Sequence, residues 1–346
     1  MFRPLHETPK LDWAGLRRYL AKHGHSLDRD WEPRQFAGGL ANLNFLIHLG
    51  GTPHVLRRPP FGDLPPGANN MAREHRVLSC LHEQFRLAPR SVHYCEDAGV
   101  LGAHFLIMEY RPGLTIGGEL PTAWDSRRVG PLLSERMVRT LAELHAVDPG
   151  RAGLAHLGRP VGFLRRACDG WTERLLRVWP RDALVSDLTR WLDANIVPDG
   201  APTLLHCDFK LDNLILDEAS LQPRAVLDWD MATRGAPLFD VATLLSYWTE
   251  AGDPAPLQAL GQMPTAQPGF WTRAQVLDAY ARATGHDVSG FLFFRVLALF
   301  KLGTVFLQLH ARHASGTVRD ARYAGFGDLG RDILEYAHGV AGGRAH

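Results

Sequence analysis

The sequence predicts an α+β chain in two lobes, a small strand-rich one over 1–111 followed by a larger, mainly helical one over 112–346. Three observations carry that expectation. At 346 residues the chain is longer than one compact core usually takes. Short β-prone stretches gather before a Pro112–Gly113 break, and 3.6-residue periodicity dominates after it. No internal repeat or low-complexity tract points to a solenoid or a tail.

Each element follows from local chemistry. LDWAGLRRYLAKHG (11–24) reads as an opening helix, with Asp12 as N-cap, Leu16 and Leu20 on one face, and Gly24 ending it. RQFAGGLANLNFLIHLGGTPHVLRRPP (34–60) has the pattern of a β-hairpin, with the GGT at 50–52 as its turn before HVLRR. In NNMAREHRVLSCLHEQF (69–85), Met71, His75, Leu78 and Leu81 fall on one side of a helix. GVLGAHFLIMEYRPG (99–113) reads as a second hairpin. Beyond it, helices are predicted in segments 134–148, 162–179, 182–196, 240–250, 272–285 and 289–313. Strands fit only near LLHCDF (204–209), NLILD (213–217) and RAVLDWD (224–230). The segment 289–313 is about as long as a membrane span. Arg295 and Lys301 interrupt its apolar run, which predicts a buried core helix.

Composition removes several function classes. A 45% hydrophobic, 22% charged chain is ordinary for a soluble protein, and a net charge of +1 gives no reason to expect nucleic acid or an anionic membrane as partner. Cys80, Cys95, Cys168 and Cys207 are scattered without a CxxC pair, so neither zinc nor a disulfide framework is indicated. The 17 histidines are dispersed without H-E-x-x-H spacing, against a metal hydrolase. The stretch MFRPLHETPKLDW lacks the apolar core of a signal peptide, so the expectation is a cytosolic, reduced protein.

The chemistry concentrates in LLHCDFKLDNLILD (204–217). Asp208 and Asn213 are five apart, and Asp228 of AVLDWD follows after two strand-like stretches. Mg²⁺ prefers a few oxygen ligands from protein and the remainder from water and phosphate, so one carboxamide and one carboxylate suit it. Asp208 beside them suits a base or orienting group for a hydroxyl nucleophile. Lys210, two beyond Asp208, can neutralise a transferring phosphoryl group. This is the spacing of the kinase set H-R-D-x-x-x-x-N followed by D-F-G. Cys207 replaces the arginine, and Asp-Trp-Asp replaces Asp-Phe-Gly.

The stretch resembles the aminoglycoside-phosphotransferase and choline-kinase-like small-molecule kinases, which share the protein-kinase fold and commonly carry H-G-D-x-x-x-x-N. FAGGLANLNFLIHL, HVLRRPP, GRPVGFLRR, LLHCDFKLDNLILD and LDWDMATRGAPLFDVA look like the branch related to the kinase-like domains of certain acyl-CoA dehydrogenases. The resemblance covers roughly 11–250 and implies a bilobal protein-kinase-like fold with nucleotide between the lobes. It implies further that Gly38, Gly39 and Leu40 occupy the nucleotide loop, Val55 lies against adenine, and Arg57 lies on the phosphates with Glu74 as its ion-pair partner. Whether Arg57 or Arg58 takes that place stays open. Met108, Glu109, Tyr110 and Arg111 would form the adenine hinge, and Ile215 the adenine floor. Asn213 and Asp228, with Asp230 as a second contact, would hold Mg²⁺. His206 and Asp240 resemble loop-holding residues.

The resulting expectation is an ATP- and Mg²⁺-dependent phosphotransferase, GTP remaining possible, acting on a small-molecule hydroxyl. Its acceptor would be a hydroxy acid or hydroxyacyl-CoA. Residues 251–346 hold seven Asp/Glu against nine Lys/Arg, no obvious pocket for a polycation, which argues against an aminoglycoside. An aminoglycoside or a choline-like alcohol remains an alternative, as does a pseudokinase that binds nucleotide or an acyl ligand without turnover, favoured by arginine in the lysine position. No APE-like segment follows Asp228, against a protein kinase. Oligomeric state is not legible in these residues.

Overall fold

The structure is a computed structural model that describes residues 2–38, 42–62, 69–180, 182–316 and 323–344. Two compact units emerge: Met1–Gly113 with Gly150–Ala155 and Arg224–Ala232, and Leu114–Pro149 with His156–Pro223 and Thr233–His346. The second expected lobe is thus interrupted twice by segments that return to the first unit.

In the first unit, helix α1 (Trp13–Lys22) starts where expected. The Asp12 carboxylate accepts the Gly15 N–H at 2.7 Å, and Leu16 and Leu20 are its buried residues. An antiparallel sheet follows, of strands β1 (Arg34–Gln35), β2 (Leu43–Leu49) and β3 (Thr52–Arg58), then β4 (Ser91–Cys95) and β5 (Phe105–Glu109), in spatial order β1-β2-β3-β5-β4. Between β2 and β3, Gly50 and Gly51 both have positive φ, +56° and +79°, as a two-residue turn matched to strand twist requires. Phe45, Ile47, Leu56, Phe105 and Ile107 form a core with Leu16 and Leu20. Alternate positions, Val55, Arg57, Leu106 and Met108, face the opposite side by the two-residue period of a strand.

That opposite side meets α2 (Met71–Leu81), and here the structure corrects the expected face. The buried residues are Met71, Glu74, Val77, Leu78 and Leu81; His75 is half-buried, with Nδ1 2.7 Å from Ser91 Oγ. Positions 74 and 75 both fit helical spacing from 71, and a buried arginine recruits the carboxylate. The second hairpin also differs. Gly99–Leu101 belong to a short helix, α3 (Ala98–Leu101), capped by Asp97, and β5 pairs with β4, a strand the reading omitted. The Asp97 carboxylate accepting the Gly99 N–H at 2.8 Å outweighs the β-prone valine and leucine that follow.

The second unit opens with α4 (Ser126–His145), longer than predicted because Asp125 caps it nine residues before Ser134. Helices α5 (Phe163–Val178) and α6 (Ala183–Ala194) follow, then β6 (Thr203–Leu205) and β7 (Leu214–Leu216). Strand β8 (Pro223–Val226) leads into the returning segment of the first unit, where Trp229 is fully buried and its indole N–H donates to Val226 O at 2.8 Å. Strand β9 (Thr233–Gly235), unpredicted because Thr-Arg-Gly carries no apolar alternation, pairs antiparallel with β6.

Helices α7 (Pro237–Tyr247), α8 (Ala255–Gln258), α9 (Arg273–Thr284), α10 (Phe291–Ala314) and α11 (Phe326–Ala341) complete the unit. By length and composition α10 is the one helix among the described residues able to cross a membrane, yet 72% of its most apolar window is buried inside the protein. It packs on α5, α6, α7 and α11. At its crossing with α11, a Cβ on Gly303 would sit 2.9 Å from Gly330 O, and one on Gly330 would sit 2.9 Å from Gly303 O. Only glycine admits so close an approach of two backbones.

Candidate functional site

In the second unit, the segment joining β6 to β7 is built around Asp240 of α7. Its carboxylate accepts the N–H of His206 at 2.6 Å and of Cys207 at 2.7 Å, and lies 3.4 Å from His145 Nε2. Burial opposes its charge, but the histidine contacts and the backbone N–H outweigh that and hold its pKa below the usual range. Cys207 has φ +67°, a left-handed conformation that glycine adopts freely and that a residue with a Cβ adopts at a cost. The kink it makes turns the chain into Asp208.

Asp208 is then held from several sides. Its N–H meets His206 Nδ1 at 3.3 Å, and Asn213 Nδ2 donates to its backbone oxygen at 2.9 Å and to Oδ2 at 3.3 Å. Lys210 Nζ lies 3.6 Å from Asp208 Oδ2 and 3.5 Å from Asp212 Oδ2. Sequence reasoning missed Tyr247, whose hydroxyl donates to Asp208 Oδ1 at 3.4 Å and whose ring lies 5.1 Å under the Lys210 ammonium. Burial and Asp208 together push the Tyr247 phenol well above its ordinary range, so it stays a neutral donor. Its seven-residue spacing from Asp240, two helical turns, was a usable signal. Asn213 spends its Nδ2 on Asp208, which leaves Oδ1 without a partner among the described residues and available to a hard cation.

In the first unit, Arg57 of β3 is 5% exposed, with Nε 2.9 Å from Glu74 Oε2 and its terminal nitrogen on Asp228 Oδ1. Arg58 instead donates to Leu101 O at 2.8 Å and Pro59 O at 3.0 Å, so Arg57 is the residue that meets Glu74. Burial opposes the Arg57 charge; Asp228, Glu74 and Asp230 more than restore it, and its pKa is raised. Burial pushes the Glu74 carboxyl up, to about 7, against the pull of Arg57. Trp229 N–H meets Glu74 Oε1 at 3.3 Å, which ties the returning segment to α2. Asp228, at φ +70°, offers its second oxygen, unpaired among the described residues. Arg57 was expected on phosphates; here both of its ends are occupied by carboxylates.

The remaining predicted residues fall as follows. Val55 is half-buried and pairs with Met108 across β3 and β5. Glu109 N–H is spent on Arg90 O at 2.9 Å, so it is no donor for adenine, and the Glu109 carboxylate holds the Arg111 guanidinium at 2.9 Å. Tyr110 follows β5, its ring 6.2 Å from that of Phe36. Ile215 is buried on β7 and Asp230 is buried beside Trp229. Gly38 is exposed, and a Cβ there would meet nothing within 4 Å, so no contact in the protein demands glycine. Gly39 and Leu40 lie outside the described residues. No group of three His, Cys, Asp or Glu poised for a metal occurs among the described residues.

A match to the APH phosphotransferase enzyme family covers residues 32–277, well over half the chain and both segments just described. The chain belongs to that family. Among relatives, acyl-CoA dehydrogenase family member 11 of Gallus gallus is 31% identical over 325 residues, covering 89% of this chain and 40% of the relative. The chain thus spans about two fifths of the length of that protein. Among solved structures, a Ralstonia eutropha chain assigned to the aminoglycoside phosphotransferases superposes with TM-score 0.76 at 23% identity, covering 96% of this chain and 99% of that one. The aminoglycoside phosphotransferase APH(4)-Ia, in a ternary complex with ADP and hygromycin B, gives 0.57 at 18% identity, covering 95% and 97%. The protein-kinase-like α+β fold is therefore that of this family.

Proposed function

We propose that this chain transfers the γ-phosphate of Mg²⁺-ATP to a hydroxyl of a small molecule, a hydroxy acid or its CoA thioester. The observation that carries the reading is the Asp208–Asn213 arrangement. One carboxamide fixes the aspartate through its nitrogen and keeps its oxygen for a cation. In this reading Asp208 accepts or orients the acceptor's proton, and Lys210 offsets phosphate charge. Mg²⁺ would take Asn213 Oδ1 and the second oxygen of Asp228, with Asp230 as a further contact, and would neutralise the phosphates. Arg57 would hold Asp228 ready for that role and keep Glu74 paired. Adenine would lie against Val55, Met108 and Ile215, its hydrogen bonds made with Tyr110 and Arg111 now that Glu109 N–H is spent. The loop at Gly38, Gly39 and Leu40 would cover the phosphates. Nucleotide binding is supported by the ADP complex of a fold relative. The acyl acceptor is supported by the acyl-CoA dehydrogenase relatives, whose match spans 89% of this chain.

One observation favours a second reading: with Arg57 committed to Glu74 and Asp228, nucleotide could bind without turnover. A direct assay separates the two. Purified protein with Mg²⁺-ATP is offered hydroxyacyl-CoAs, free hydroxy acids, choline, ethanolamine and aminoglycosides, and phosphorylated product is read by mass spectrometry. Phosphorylated hydroxy acid or hydroxyacyl-CoA is the expected product, and Asp208→Asn should lower kcat by about a hundredfold or more with nucleotide affinity kept. Tight nucleotide binding with no product from any acceptor would establish the binding role instead, and product from an aminoglycoside alone would replace the acceptor class.

A further inference from the structure

Lys301 lies in the middle of α10, 6% exposed, between Phe300 and Leu302 in the apolar interior of the second unit. Its Nζ donates to Cys207 O at 2.6 Å and sits 5.3 Å from the Phe239 ring centroid. No carboxylate pairs with it among the described residues. Burying an ammonium without a counter-ion is among the costlier arrangements a fold can hold, and an apolar side chain would fill this place at lower cost. The group it binds is singular. Cys207 is a left-handed residue whose N–H is held by Asp240 at 2.7 Å and whose C=O is held by Lys301 at 2.6 Å. The residue is thus held on both sides, and the peptide that Lys301 grips is the one that begins Asp208.

We propose that Lys301 is a positioning residue for Asp208: from α10 it fixes the Cys207–Asp208 peptide plane and thereby the direction of the Asp208 carboxylate. The proposal rests on the phosphotransferase reading given above. A strained backbone persists only where its surroundings over-determine it, and two charged groups on opposite sides of one residue do so. Asp240 fixes the entry to the kink; without Lys301 the exit peptide keeps only the long contact of its Asp208 N–H with His206 Nδ1 at 3.3 Å, and its carbonyl end can tilt. A cation is suited to this because its hydrogen bond to a carbonyl is stronger than that of a neutral donor. Helix α10 lies some ninety residues beyond the loop in sequence, so the link joins the C-terminal part of the chain to the reacting aspartate.

The test compares the full-length wild type with Lys301→Met and Lys301→Arg. Three quantities are read: Mg²⁺-ATP turnover, with water or with whichever acceptor the assay under the proposed function yields; nucleotide affinity; and hydrogen exchange of the 206–213 amides. In Lys301→Met we expect kcat to fall by about ten- to a hundredfold, the range a misplacement of an ångström or less produces. Nucleotide affinity should stay within about twofold, and exchange should accelerate only in 206–213. Lys301→Arg should recover part of kcat, since it keeps the charge. A merely structural lysine gives another pattern, which would overturn the proposal: kcat unchanged, or kcat and affinity falling together with exchange accelerated throughout α7 and α10. If the wild type turns over no ATP, it is the phosphotransferase reading that fails. Exchange in 206–213 then still decides whether Lys301 fixes the loop, and unchanged exchange in Lys301→Met ends the idea.

Discussion

Asp240 shows how one buried side chain can hold the backbone of the candidate site. Its two oxygens collect the His206 and Cys207 amides, and His145 approaches from the far side, itself bonded to Tyr280 at 2.6 Å. Replacing it by asparagine leaves one amide facing an N–H₂ group and removes a buried charge from three partners. A loss of about 3–5 kcal/mol is expected, as for removal of one member of a buried pair, and urea unfolding measures it. The pH dependence follows from the sign of the shift. The folded pKa of Asp240 is lowered, so its contribution is fully present above the ordinary carboxylate pKa and is lost as pH falls through the lower folded value. Acid unfolding of the wild type should carry that extra proton uptake, and Asp240→Asn should lack it. At this scale the five-residue interval was informative about proximity, since Asn213 meets Asp208, and the family resemblance, rather than spacing, pointed to Asp240 as the holder of the loop backbone. It was silent on Cys207's left-handed backbone, because cysteine carries no preference for that conformation.

Among the elements, α2 is the one on which the first unit's ion pairs depend. Asn70 caps it, its carboxamide accepting the Arg73 N–H at 2.9 Å, one residue before Glu74. Asn70→Ala should cost about 1 kcal/mol through loss of that cap, read as a lower denaturant midpoint with an unchanged slope. Fraying of the first turn would loosen Glu74 with it, so the variant should also bind Mg²⁺-nucleotide less tightly. Element identity was largely legible: α1, the β2–β3 hairpin with its two glycines, and the long apolar helix all lie where periodicity put them. The failures share a cause. The segment at 99–101, the strand at 91–95 and Thr233–Gly235 are short, and a short stretch takes its conformation from a cap or a pairing partner rather than from its own pattern.

For the whole molecule, the proposed reading makes a thermodynamic demand. A ligand bound only by the folded chain raises its stability by mass action, about 2.7 kcal/mol at a hundred times Kd. Mg²⁺-ATP should therefore raise Tm by a few degrees. The increment that Mg²⁺ adds to ATP alone should vanish in Asp228→Asn, each variant compared with its own ligand-free state. An equal Tm rise in both proteins would remove Asp228 from the metal set.

What the sequence determined by itself was everything carried by local spacing: the alternation of the sheet, the caps, and the Asp208-x-x-x-x-Asn213 interval with Asp228 beyond it. What only the tertiary structure decided were partnerships between residues far apart in the chain. Arg57 rather than Arg58 meets Glu74, Glu74 rather than His75 turns inward, segment 224–232 returns to the first unit, and Lys301 reaches Cys207. The physical reason is common to all four. A buried charge must find its partner in space, and no periodicity along the chain records where that partner is.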